Sequence, residues 1–259
     1  TSCDLLSLLD SPEFKERIIY SMVNTIQIHK EHQFAVIRVY DKGNTITPVL
    51  DGKEGSVEIE ESHYSNSPEE YHLMHLHTHP PDGLPLPSPN DIKLLLLSEF
   101  FNLLAKNKSH PINGVVSFCP EYEDAILLSL YQRNKDIDED FLSKLESFCQ
   151  RIRPNKHLYE LSQRDQLNPR RRNKHIQSVT DFYQELVIPN FNLGVLFYRQ
   201  SGDQLHQLHQ LQLSQEAHDD YGKVLEKLGY GSSETSTSTI GDTLKKFEFE
   251  SGQLEEMLR

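Results

Sequence analysis

The chain has 259 residues, room for one large domain or two small ones, with a proper core in either case. Its 39 Asp and Glu outnumber 26 Lys and Arg, a formal charge of −13 at pH 7. That balance argues against general nucleic-acid affinity, which rests on neutralising phosphates. Cys3, Cys119 and Cys149 are widely spaced and include no CxxC pair, so no disulfide framework is expected and a reducing, cytoplasmic setting fits. No apolar run approaches the roughly 20 residues of a membrane span, and no charged-then-apolar signal opens the chain.

In chain order, residues 11–30 read as a helix. Ser11 is placed as N-cap and Pro12 at the first helical position, and Phe14, Ile18, Ile19, Met22, Val23 and Ile26 fall at helical spacing. "QFAVIRVYD" (33–41) reads as a strand. "KGNT" reads as a turn, "TITPVLD" as a second strand, and "SVEIEE" (56–61) as a third by its alternation. "YHLMHLHTH" (71–79) is a fourth strand, and a helix follows from about Pro89 to Lys106. "GVVSFC" (114–119) and "AILLSLY" (125–131) are two more strands, and "DEDFLSKLESFCQ" is a further helix. The order α-β-β-β-β-α-β-β-α predicts an α/β fold, a mixed sheet flanked by helices.

Past residue 150 the pattern weakens into an α+β extension. Residues 151–175 hold eight Lys and Arg against two acids, which reads as a solvated basic loop or as a docking patch for an acidic partner. "NLGVLFYRQ" and "QLHQLHQLQL" form a hairpin about "SGD", and "SQEAHDDYGKVLEKLGY" reads as a helix. "SSETSTST" is low-complexity linker before a weak amphipathic terminal helix. The expected division is a core over 10–135, an extension over 136–230, and linker plus helix over 231–259.

The densest chemistry lies in "HLMHLHTHPPDGLPLPSPNDI", residues 72–92. Alternation along a strand puts His75, His77 and His79 on one face, and His72, Met74, Leu76 and Thr78 on the other. An H-x-H pair brings two imidazoles within reach of one metal, and Asp91 in the first turn of the next helix offers a carboxylate. The plainer alternative is a capping box, with Ser88 at the N-cap and Asp91 reaching back, and the histidines as surface groups on an edge strand.

The combination resembles the JAMM (MPN-plus) metalloproteases and the RadC-like branch of the same cytidine-deaminase-like fold. Their pattern is H-x-H-x7-S-x2-D, with Pro after the second His and usually Pro before the Ser. Here it reads His77-Thr78-His79-Pro80, then Pro87-Ser88-Pro89-Asn90-Asp91, with a loop one residue longer. The resemblance covers roughly residues 10–135. It implies a Zn2+ site of His77, His79 and Asp91, and Ser88 as donor to the oxyanion of a tetrahedral intermediate. It also implies a Glu general base from the junction of the first helix and first strand. Glu31 stands there; Glu54, Glu58, Glu60 and Glu61 are rivals. His75 is expected to face a groove or solvent, or to orient a ligand from behind; His72 is expected to be structural or exposed. The implied activity is zinc-dependent hydrolysis of an amide or isopeptide bond at the tail of ubiquitin or a ubiquitin-like protein. Two other readings stay open: a catalytically silent MPN scaffold, and a PHP or amidohydrolase barrel, whose strands also open with H-x-H.

Overall fold

Ser11 ends one helix and starts the next. Its hydroxyl donates to the Leu8 carbonyl at 2.7 Å and accepts from Phe14 N–H at 3.3 Å. Helix α1 (Ser2–Leu9) therefore abuts α2 (Pro12–Ile28), with Pro12 where a missing N–H costs nothing. Phe14, Ile18, Met22 and Ile26 form the buried stripe of α2, which stops at His29, a left-handed residue with φ of 51°. Strand β1 (His32–Val39) follows at once. A computed structural model describes residues 2–39, 42–52, 70–80, 84–104, 110–119, 125–152, 169–201 and 204–207, together with 223 and 225–226.

The expected second strand divides in two, β2 (Gly43–Ile46) and β3 (Leu50–Asp51). Pro48 lies in the break and has no N–H for a ladder. Thr47 covers the gap: its N–H donates to the Ala35 carbonyl, and its hydroxyl accepts from Ala35 N–H, each at 2.9 Å. The expected strand at 56–61 lies outside the described residues. Strand β4 (Glu70–Thr78), helix α3 (Pro89–Leu104), strands β5 (Ile112–Cys119) and β6 (Ala125–Arg133) and helix α4 (Glu139–Arg151) follow in the expected order.

The eight strands among the described residues form one open mixed sheet, in the order β2-β1-β4-β5-β6-β7-β8, with β3 beside β1. Among the described residues only β4 and β5 run parallel, and α3 lies in the crossover that a parallel pair requires. Helices cover both faces. Met74, Leu76, Val116, Leu128 and Leu130 pack on one side with the α2 stripe. Val115, Leu127, Tyr131, Phe191 and Phe197 pack on the other with Leu95 of α3 and Phe141, Leu145 and Phe148 of α4. Gly114 sits in the crowded middle of β5, where any Cβ would collide with Leu76 and Leu130.

Two strands from past residue 150 belong to this same sheet. Strand β7 (Phe191–Ser201) pairs with β6 from Arg133↔Phe191 to Ile126↔Tyr198, and β8 (Gln204–Gln207) closes the expected hairpin. The basic stretch is not all loop: α5 (Pro169–Phe182) begins inside it and runs on through a π-helical turn, Tyr183–Val187, and a short turn, Ile188–Asn190. Its opening residues are Pro-Arg-Arg-Arg-Asn-Lys, and apolar spacing begins only at Ile176, so the helical period was hidden. Residues 153–168, the linker and the terminal helix lie outside the described residues. Among the described residues, no helix is long and apolar enough to cross a membrane.

Candidate metal centre

Strand β4 delivers the histidines. Its pairing with β1 puts His77 opposite Gln33, and its pairing with β5 puts His77 beside Val115, on the face covered by α3. Met74 and Leu76 turn the other way, as the alternation predicts. His79 lies one residue past the strand, yet its N–H still donates to the Val116 carbonyl at 2.9 Å. Pro80 then ends the pairing.

The return to the site is made by residues 84–88 and the start of α3. Ser117 on β5 donates to the Pro85 carbonyl at 2.9 Å, and Tyr183 donates to the Pro87 carbonyl at 2.7 Å. Tyr131 on β6 donates to the Asp91 carbonyl at 3.3 Å. Three hydroxyls from later elements thus pin the segment that presents Asp91, and one comes from beyond residue 150. The Asp91 side chain does two jobs. Oδ2 accepts the Ser88 N–H at 2.6 Å, the reach-back of a capping box. The same carboxylate faces both imidazoles, with Oδ1 3.0 Å from His77 Nε2 and Oδ2 3.3 Å from His79 Nε2. Cap and ligand, the two readings of Asp91, coexist in one side chain.

His77 Nε2 and His79 Nε2 lie 3.0 Å apart, closing a triangle of two nitrogens and one carboxylate. Bonds of about 2.0–2.1 Å in tetrahedral geometry hold neighbouring ligand atoms about 3.3 Å apart, so the triangle has the size such an ion requires. All three residues are buried, and this is the one such group among the described residues. The second nitrogen of His79 supports the same assignment. Nδ1 pairs with the Leu84 carbonyl, so it carries the hydrogen and leaves the Nε2 lone pair toward the centre.

The electrostatics show a concentrated site. Burial alone would lower the His79 pKa, but the Asp91 charge and hydrogen bond, the Glu31 charge and the Leu84 carbonyl outweigh it and raise it to about 9. Burial would raise Asp91, yet His77 and His79 hold it well below the usual carboxylate range. Glu31 is 7% exposed. Burial raises its pKa against the attraction of His79 and His77, with Asp91 adding to the rise. Glu31, at the junction of α2 and β1 and two residues before Gln33, which pairs with His77, lies within electrostatic range of the three residues. Ser88 is buried beside Asp91. The rivals Glu54, Glu58, Glu60 and Glu61 lie outside the described residues.

Of the expectations for the neighbouring histidines, the one for His75 needs correction, and His72, expected to be structural or exposed, is not exposed. His75 faces neither groove nor solvent: it is fully buried, with Nε2 3.0 Å from Gln33 Oε1. His72 is buried too, its backbone N–H and carbonyl clasped by the Asn102 amide at 3.2 Å each. A register shift in the β1–β4 pairing, Val36↔Met74 then Ile37↔His72, breaks the alternation that grouped His72 with Met74 and Leu76, and Leu73 packs on the core of those two instead. Nor does alternation tell whether a helix covers a face. Gln33 and Asn102 carried no motif. The surroundings of Thr78, the middle residue of H-x-H, also escaped sequence reasoning, because its partners Thr25 and His32 lie 53 and 46 residues away. The chain matches no protein-family model and no curated protein.

Proposed function

We propose that the protein is a zinc-dependent isopeptidase of JAMM type, hydrolysing an amide or isopeptide bond at the C-terminal tail of ubiquitin or a ubiquitin-like protein. The observation that carries this reading is the buried His77–His79–Asp91 triangle, its ligand atoms 3.0 to 3.3 Å apart at the junction of β4 and α3. Two imidazoles and one carboxylate form a donor set that suits zinc and leaves a coordination position open. Zinc in such a site would make water acidic enough to attack near neutral pH and would polarise the scissile carbonyl.

The rest of the work falls to the chain. Glu31, with a carboxyl raised by burial, accepts the proton of the attacking water and passes it to the departing amine. The Ser88 backbone N–H is taken up by Asp91, and the Ser88 hydroxyl is the donor assigned to the developing oxyanion. Leu84 holds His79 in the ligating tautomer. The open, mixed sheet of the described residues favours this reading over a PHP or amidohydrolase barrel.

The deciding experiment measures metal by mass spectrometry on protein purified without added ions, then incubates it with a panel of ubiquitin-like isopeptide conjugates. About one zinc per chain and cleavage of at least one conjugate is the expected result. Zinc-loaded protein inert on every conjugate would favour a silent scaffold, and a chain that takes up no zinc would remove the metal from the account.

A further inference from the structure

Thr78 stands between the two imidazole ligands in sequence, but its side chain turns to the opposite face of the sheet, where α2 and the start of β1 meet it. Its hydroxyl accepts the His32 backbone N–H at 2.9 Å and lies 2.5 Å from the Thr25 hydroxyl. Thr25 Oγ1 lies 2.9 Å from His32 Nδ1. All three residues are buried.

One arrangement of protons satisfies every member. His32 Nε2 faces the Asp51 carboxylate at 3.4 Å, so Nε2 carries the hydrogen and Nδ1 is an acceptor. Thr25 then donates to Nδ1, Thr78 donates to Thr25, and the His32 backbone N–H donates to Thr78. The ring starts on the backbone of His32 and closes on the imidazole of the same residue.

Such a ring could serve stability alone, since buried polar groups need partners. Its position says more. The residue before His32 is Glu31, whose carbonyl accepts Gly52 N–H at 2.7 Å. The residues on either side of Thr78 are His77 and His79. A single hydroxyl therefore ties the backbone that presents the base to the backbone that presents two ligands. We propose that Thr78, backed by Thr25 and the His32 imidazole, is a positioning residue that holds Glu31 over the His77–His79–Asp91 group. The proposal rests on the reading of Glu31 as the general base.

A double-mutant cycle of Thr78→Val and Glu31→Gln tests it, read first by zinc affinity in competition with a chromophoric chelator. Valine keeps the shape of threonine and removes only the hydroxyl. Glu31→Gln should weaken zinc binding by itself, because it removes a buried negative charge beside the site. Thr78→Val should weaken zinc about tenfold in the parent background and add nothing once Glu31 is Gln. Thr78→Ser keeps the hydroxyl and should restore parent affinity. Equal losses in both backgrounds would mean that Thr78 merely supports the ligands, and no loss in either would mean that it holds nothing; each overturns the proposal. Should Thr78→Val fail to fold, Thr25→Val breaks the same ring one bond farther away and carries the same cycle. On a cleaved conjugate, Thr78→Val should lower kcat and leave KM unchanged. The zinc arm needs no substrate, so a coupled cycle in a protein that cleaves no conjugate overturns the isopeptidase reading and leaves the positioning role standing.

Discussion

Asp91 and Glu99 lie on the same helix, α3, each 7% exposed and each facing nitrogen-bearing side chains from outside the helix. Glu99 is closed: Arg133 Nε reaches Oε1 at 3.0 Å and Oε2 at 2.8 Å, and His110 Nδ1 adds a contact at 3.1 Å. Arg133 is itself spoken for, with Nη1 donating to the Lys135 carbonyl at 2.9 Å. A guanidinium keeps its charge and has no lone pair to offer a metal, so that cluster can only be an ion-pair lock between α3 and the end of β6. Asp91 faces two imidazoles instead, whose Nε2 atoms converge on one point and can each offer a lone pair to a metal. Two buried carboxylates on one helix thus differ in role because their partners differ, and burial alone would not have told them apart.

The sharpest way to break this comparison is to remove the ligand but keep the cap. Asp91→Asn can still accept the Ser88 N–H but supplies no charge, so it should lose zinc while its thermal stability stays near the parent's. Asp91→Ala should lose zinc and also about 1 kcal/mol of helix capping. His77→Ala should lose zinc as well. Full zinc occupancy in any of the three, measured by mass spectrometry, would dismantle the triangle.

The next effect is kinetic. Glu31→Gln keeps size and one hydrogen bond but cannot take a proton, so turnover should fall by about 10²–10⁴-fold while the ligand set still holds zinc. The matching change on the other carboxylate, Glu99→Gln, should leave turnover untouched. A parent rate in Glu31→Gln would pass the base to another residue.

How much of this contrast could be read in the sequence depends on chain distance. His77, His79 and Asp91 lie on consecutive elements, so spacing and alternation sufficed to group them. Asp91 was legible twice over, as cap and as ligand. Glu31 was reachable only through the family resemblance, because nothing local marks a glutamate at a helix end. The Glu99–Arg133 lock spans 34 residues and the Thr78 ring 46 to 53, and no local pattern encodes such pairings. His75 was misjudged for the related reason that cover by α3 is a tertiary fact. Helix α1 was not foreseen, but among the described residues strand and helix order was legible from α2 to α4, apart from the split of the second strand, because periodicity is strong there. It failed at α5, whose basic first turn masks its apolar stripe.

An effect on stability alone separates the two carboxylates most cleanly. Glu99→Ala leaves the largely buried Arg133 charge with only the exposed Asp136 carboxylate, 3.6 Å away, and should cost about 3 kcal/mol, read as a lowered midpoint in urea unfolding. Zinc content should not change, because no metal ligand touches that cluster. Replacing both partners, Glu99→Leu with Arg133→Met, removes the uncompensated charge and fills the space with apolar atoms. Most of the loss should then return, leaving the double variant within about 1 kcal/mol of the parent, since a buried ion pair gains little over a well-packed apolar pair once its desolvation is counted. His110 loses a partner in that variant, but its side chain is 49% exposed and water can replace it. The same exchange is impossible at Asp91: no apolar pair there could restore zinc, whatever it did for stability. A double variant as unstable as Glu99→Ala would mean that the Glu99 cluster, too, is held for something other than packing α3 onto the sheet.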